Sequence, residues 1–138
     1  VKLYELLSAA KGIRTSTIQF VYEKGEGVKL DPKRAARYYQ LAADQGYAPA
    51  QSNLGCMYEH GRGVIKSNDE AVRYYQLAAA QGHAEAQYSL ANRCKNGEGV
   101  PRDLHEALRL FKRSAAGGYS KAHEQAERLE AYLLASNR

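Results

Sequence analysis

The chain has 138 residues, enough for one domain of ordinary size and too few for two. Hydrophobic residues make up 44% and charged residues 25%, a balance that excludes wholesale disorder, and no run approaches the roughly 18 apolar residues of a membrane-spanning helix. The charge of +5 is mildly basic, and the two cysteines, Cys56 and Cys94, are too few for a disulfide-stapled scaffold.

Taken from the N-terminus, the chain starts at Val1 with neither Met nor a charged-then-apolar leader, so we expect a processed chain or a cut piece. Residues 2–11 read as a lone second helix of a pair. A 36-residue period then sets in. Gly25-Glu26-Gly27-Val28 returns as Gly61-Arg62-Gly63-Val64 and as Gly97-Glu98-Gly99-Val100, and residues 25–60 share 17 of 36 positions with 61–96. Such self-similarity marks a repeat protein. Residues 1–24 form a divergent partial unit, and 25–60, 61–96 and 97–132 are full periods of a single 1–138 domain.

Within the period, Ala35, Tyr38, Tyr39, Ala42 and Ala43 fall on one face of a helix over about 32–44, with Asp31 as N-cap and Pro32 at its first position. Gly46 is placed to cap its end in the left-handed conformation, as are Gly82 and Gly118 one and two units on. Ala50, Leu54, Gly55 and Tyr58 give another helix over about 48–60, the first of a pair whose second helix, equivalent to 32–44, follows the Gly-x-Gly-Val turn. Ser67 and Asp103 repeat the capping position of Asp31, and Tyr74-Tyr75 and Leu110-Phe111 repeat the pair Tyr38-Tyr39. A last helix over 120–135, with Ala122, Ala126, Leu129 and Leu133 along one side, is expected to act as a polar-faced cap. Neither helix of a unit can bury its stripe alone, so the expected fold is all-α: a right-handed α-α superhelix, or solenoid, with Ala and Gly at the closest approaches.

The series Ala50-Gln51-x-x-Leu54-Gly55-x-x-Tyr58-x-x-Gly61-x-Gly63-Val64, then Ala71-x-x-Tyr74-Tyr75-x-x-Ala78-Ala79-x-x-Gly82, resembles the Sel1-like repeat, a relative of the tetratricopeptide repeat. Two departures stand out: Gly12 lies 13 residues before Gly25 where later units have 15, and Leu90-Ala91-x-x-Cys94 replaces Leu54-Gly55-x-x-Tyr58. The resemblance implies an adaptor or scaffold that binds another protein or peptide, without small-molecule substrate or membrane insertion. It also implies a bacterial source, with the protein either cytoplasmic or exported with its leader removed. The cysteine pairing of the family's cysteine-rich branch is absent, and two free thiols are expected.

Helix geometry supplies the expected site. Residues some 200° round from Leu54 and Tyr58 point away from the core. They are Ser52, Cys56, Glu59 and His60, with Ser16, Phe20, Glu23 and Lys24 one unit earlier, Tyr88, Asn92, Lys95 and Asn96 one unit later, and Glu124, Arg128, Ala131 and Tyr132 on the last helix. In tetratricopeptide relatives this stripe lines the concave groove, so the resemblance implies partner contact at Phe20, Ser52, Cys56, Glu59, His60, Tyr88, Asn92, Lys95 and Arg128. Phe20, Tyr88 and Arg128 are of the types that dominate interface energetics.

Sharper chemistry finds no support. The glycine turns lack the strand and the Lys-Ser/Thr pair of a phosphate loop, and there is no Gly-x-Ser-x-Gly, His-Glu-x-x-His or Cys-x-x-Cys. His60, His83, His105 and His123 are scattered, with His83 in the slot of Tyr47 and Tyr119, so no catalytic residue, metal or cofactor is expected. Two alternatives stay open. One is a spacer that self-associates through its ends as a weak dimer. The other is a basic ridge for nucleic acid built from Lys33, Arg34, Arg37, Arg73, Arg102, Arg109, Lys112 and Arg113, although Glu70, Asp103 and Glu106 interrupt it and no aromatic residue alternates with the cations.

Overall fold

The computed structural model describes residues 32–137. They form six helices: α1 (Pro32–Asp44), α2 (Ala48–His60), α3 (Asn68–Ala80), α4 (Ala84–Asn96), α5 (Leu104–Ala116) and α6 (Ser120–Ser136). No strand occurs among the described residues. Residues 2–11, Phe20 and Asp31 lie outside them.

Local chemistry sets each boundary. Ser67 Oγ accepts the Glu70 N–H at 3.1 Å, and Asp103 Oδ1 accepts that of Glu106 at 3.0 Å, which satisfies orphan donors at the starts of α3 and α5. The amides of the same two cap residues donate to Tyr58 O and Cys94 O, tying each second helix to the end of the first. Gly61 and Gly97 close α2 and α4 in the left-handed conformation, at φ 66° and 70°. Gly46, Gly82 and Gly118 adopt positive φ as well. His83 caps α4 through Nδ1, which accepts the Ala86 N–H at 3.2 Å.

Packing is strongest between chain neighbours, above all α2 with α3 and α4 with α5, as in a solenoid. The aromatic doublet of α3 joins two cores. Tyr74 turns back toward α1 and α2, stacked on Tyr58 at 5.7 Å and 7° and accepting a hydrogen bond from Gln40. Tyr75 turns forward into the cluster that holds Leu90, Phe111 and Leu129. Cys94 takes the place of Tyr58 in the next unit and is buried against that second cluster. Buried glutamines repeat the period: Gln51 Nε2 donates to Ala43 O at 3.2 Å and Gln87 Nε2 to Ala79 O at 3.3 Å.

The turns themselves are structural contacts. A Cβ on Gly99 would lie 2.6 Å from Asn68 O, and one on Gly63 would lie 2.1 Å from Pro32 O. Both described Gly-x-Gly turns therefore rest, through their second glycine, on the start of the preceding unit's second helix, at positive φ and with no space for a side chain. On α6, Glu127 and Glu130 occupy the positions of Ala91 and Cys94, and both are exposed where the alanine and cysteine are buried.

Gly99→Ala, which combines a backbone clash with a strained φ, should cost about 2 kcal/mol and lower Tm by on the order of 10 °C in a thermal melt. A second prediction concerns His83, whose pKa is depressed by burial from the ordinary 6.5, since the folded state favours the neutral ring that accepts the cap hydrogen bond. The unfolded state then binds the proton more readily, so stability falls as pH drops below about 6.5 toward the depressed value. His83→Asn keeps a capping acceptor, and its urea midpoint should lose less than that of wild type between pH 7.5 and 5.5.

Candidate functional site

The expected stripe follows the first helices α2, α4 and α6, and the structure divides it. Ser52 is buried, at 7% exposure, and so drops out of the accessible face. Tyr88 is half-buried because its ring packs on Phe111 at 5.6 Å and on Tyr119 at 4.9 Å. Tyr88 thus turns toward the next unit's helices rather than toward open solvent. Cys56, which the helical wheel places outward, is half-buried. His60, Asn96 and Arg128 are exposed, and Asn92 and Lys95 are partly so. Phe20 lies outside the described residues.

Between α2 and α4 these positions form a polar knot. Glu59 Oε1 accepts the Tyr75 hydroxyl at 3.2 Å and faces Arg93 Nε at 3.7 Å. Arg93 Nη1 donates to Glu98 at 3.3 Å. The side chains of Glu59 and Arg93 keep only 19% and 13% exposure. Arg93 Nε makes no hydrogen bond, so Coulomb attraction to Glu59 is what compensates its burial. Sequence reasoning passed over Arg93. The signal was present, because the 36-residue period aligns it with Met57 and Leu129, both apolar and buried.

Cys56, His60 and Glu59 lie close enough to suggest a nucleophile, a base and an orienting carboxylate. His60 Nδ1 is 3.6 Å from Cys56 Sγ, and Nε2 is 3.3 Å from Glu59 Oε2. The same Nδ1 is 3.0 Å from the Cys56 carbonyl, an i−4 contact within the helix that competes for the ring. Burial, and then the Glu59 carboxylate, push the Cys56 thiol up from its ordinary value, which disfavours the thiolate a nucleophile requires. No group of His, Cys, Asp and Glu with metal-binding geometry occurs among the described residues.

The next step of the array, between α4 and α6, is open. A groove of about 500 Å³ separates the end of α4, the start of α5 and the middle of α6. Lys95, Arg102 and Arg128 line it together with Leu104, Leu129 and Tyr132. Two of the expected contact residues, Lys95 and Arg128, thus meet at one place. On the basic ridge of the second helices three cations are compensated: Arg73 pairs with Glu70 and lies over the Tyr74 ring, Arg109 pairs with Glu106, and Lys112 pairs with Glu130. No described helix is long and apolar enough to cross a membrane.

With this geometry in place, comparisons with known proteins are informative. A family profile described as Sel1 repeat matches residues 20–47, 48–83 and 84–119. The second and third matches begin at the first residues of α2 and α4. Among solved structures, a Sel1 repeat protein from Oxalobacter formigenes is 38% identical over 80% of this chain and 45% of its own, with a TM-score of 0.74. The protein c5321, a protective antigen of uropathogenic Escherichia coli strains with an SLR fold, is 34% identical over 85% of this chain and 26% of its own, also at 0.74. Cysteine rich protein B of Helicobacter pylori shares the fold at a TM-score of 0.75 and 19% identity, over 88% of this chain and 89% of its own. This chain therefore spans less than half the length of the first two. No curated protein matches it.

The two ion pairs on the first helices differ in burial, and their contributions should differ likewise. Arg93→Ala, which strands Glu59, should cost about 3 kcal/mol, the low end for a broken buried pair because both partners keep some exposure. Arg128→Ala, which removes an exposed i,i+4 pair with Glu124, should stay within about 0.5 kcal/mol in the same urea titration.

Proposed function

Because the chain belongs to the Sel1 repeat family, we propose that it is a non-catalytic adaptor that holds a partner protein or peptide against the face of its first helices. Sel1 repeat proteins are generally protein-interaction scaffolds. The observation that carries the reading for this chain is the distribution of exposure. The core faces of α2 to α5 are consumed by neighbouring helices, whereas His60, Asn92, Lys95, Asn96 and Arg128 stay accessible in a row across three successive first helices. Such a row on a preformed frame binds with little ordering cost beyond the side chains themselves. Tyr88 supports the frame by wedging between Phe111 and Tyr119, and Ser52 belongs to the interior.

Two rival readings lose ground to particular contacts. End-to-end self-association through α6 would press exposed Glu127 and Glu130 into an interface where α4 has Ala91 and Cys94. Nucleic-acid binding by the second helices would have to break the pairs already held by Arg73, Arg109 and Lys112.

Affinity capture from host lysate should retain a partner on wild type and lose it on a folded His60→Ala, Asn92→Ala, Arg128→Glu variant, by at least tenfold in recovered protein. Equal recovery on both would move the interface off this face. Loss from both after nuclease treatment would favour the basic ridge.

A further inference from the structure

The three-unit comparison isolates one place where the repeat changes its electrostatics but not its backbone. Between α2 and α4 the chain ties itself together with Glu59, Arg93 and the hydroxyl of Tyr75. One period later the same three positions are Lys95, Leu129 and Phe111. The carboxylate has become a cation, its buried guanidinium partner a leucine, and the hydroxyl has been removed. Lys66 and Asn92 of the earlier unit correspond to Arg102 and Arg128, so a further cation is gained. What was a contact closed within the chain is now the open groove of about 500 Å³.

Its lining has no carboxylate. Arg102 is held in place by Nε donating to Lys95 O at 3.3 Å, and among the described residues neither Arg102 nor Lys95 pairs with an acid. Arg128 does pair, with Glu124 at 2.7 Å, but that pair is exposed on both sides and readily exchanged for another carboxylate. Beside the cations, Leu104 and Leu129 lie near Tyr132, which is 56% exposed. Positive charge next to an aromatic and two leucines calls for a ligand that is anionic and apolar at once.

We propose that this groove takes an extended acidic segment of the partner protein. Its Asp or Glu carboxylates would lie among Lys95, Arg102 and Arg128, where the earlier unit has Glu59, and one apolar side chain would cover Tyr132, Leu104 and Leu129. The inference rests on reading the first-helix face as the partner surface and names the chemistry recognised there.

The test uses the full chain and an array of ten-residue peptides, each with two to four Glu around a central Leu or Tyr, beside twins carrying Gln in place of Glu. Hits are measured by fluorescence anisotropy. Glu peptides should bind at least tenfold more tightly than their twins and weaken between 50 and 200 mM salt. The double variant Lys95→Glu, Leu129→Arg, which rebuilds the pair of the earlier unit, should abolish binding while helix content is kept. Arg102→Gln at an exposed position should weaken it about tenfold and guards against misfolding of the double variant. Equal affinity for Glu and Gln peptides, unchanged binding by the folded double variant, no binding by any peptide, or displacement of the peptide by a 20-nucleotide DNA at lower concentration than by unlabelled peptide would each overturn the proposal. A lysate partner lost on the His60→Ala, Asn92→Ala, Arg128→Glu variant but kept on the Lys95→Glu, Leu129→Arg variant would sink the groove and leave the wider face standing. A partner lost on neither would sink both.

Discussion

Close approach of helix backbones is the constraint on which the rest of this structure depends. Ala50, Ala71, Ala78, Ala86, Ala91, Ala107 and Ala122 are all fully buried, and they recur along the faces where consecutive helices meet. A methyl group is about as much as such a seam admits, and enlarging one forces helices apart at a cost of roughly 1–3 kcal/mol. Small residues contribute little apolar area, so the cohesion has to come from elsewhere. It comes from single large side chains inserted between units, Tyr75 and Phe111 above all, each nearly or wholly sealed from water. Narrow seams and a few aromatic wedges give a frame in which helix positions are fixed and outward residues are free to vary.

That freedom explains how one backbone repeat can carry different chemistry at successive steps. The knot of Glu59, Arg93 and Tyr75 is closed within the chain, and a buried pair of this kind contributes geometry more than net stability. Replacing its members by Lys95, Leu129 and Phe111 leaves the wedge in place and removes only the internal tie. Α6 shows the same logic at the last described step. Ala122, Ala126 and Leu129 continue the buried stripe, while Glu127 and Glu130, at positions buried in α4, face water, with Glu130 reaching back to Lys112 at 3.0 Å.

Most of the fold was legible because the period encodes it several times over. The turn glycines, the caps at Ser67 and Asp103 and the stripe of Ala, Leu and Tyr each specify the same helices, and each is read from local rules. The site was less legible for a geometric reason. A helical wheel treats a helix as a lone cylinder with one buried side, whereas a first helix in a solenoid touches helices before and after it as well. Its buried arc is therefore wider than one stripe, and it takes in Ser52 and most of Tyr88. Arg93 escaped notice for the opposite reason. Solvated cations are common, and only the column it shares with Met57 and Leu129 marks it as interior.

The net charge of +5 turns out to say less than where its compensation fails. Three cations on the second helices, within the obvious basic strip of the sequence, are already held by Glu70, Glu106 and Glu130. Among the described residues Lys95 and Arg102 hold no carboxylate, and they sit at a concavity rather than on a ridge. A ridge of neutralised cations offers a polyanion little, since each phosphate contact must first displace an internal partner. A groove with unspent cations beside exposed aromatic and aliphatic carbon favours a short, mixed acidic and apolar chain, because only such a ligand gains from both kinds of surface. The distribution of ion pairs, more than their number, is thus what supports the proposed protein-binding reading of this chain over a nucleic-acid one.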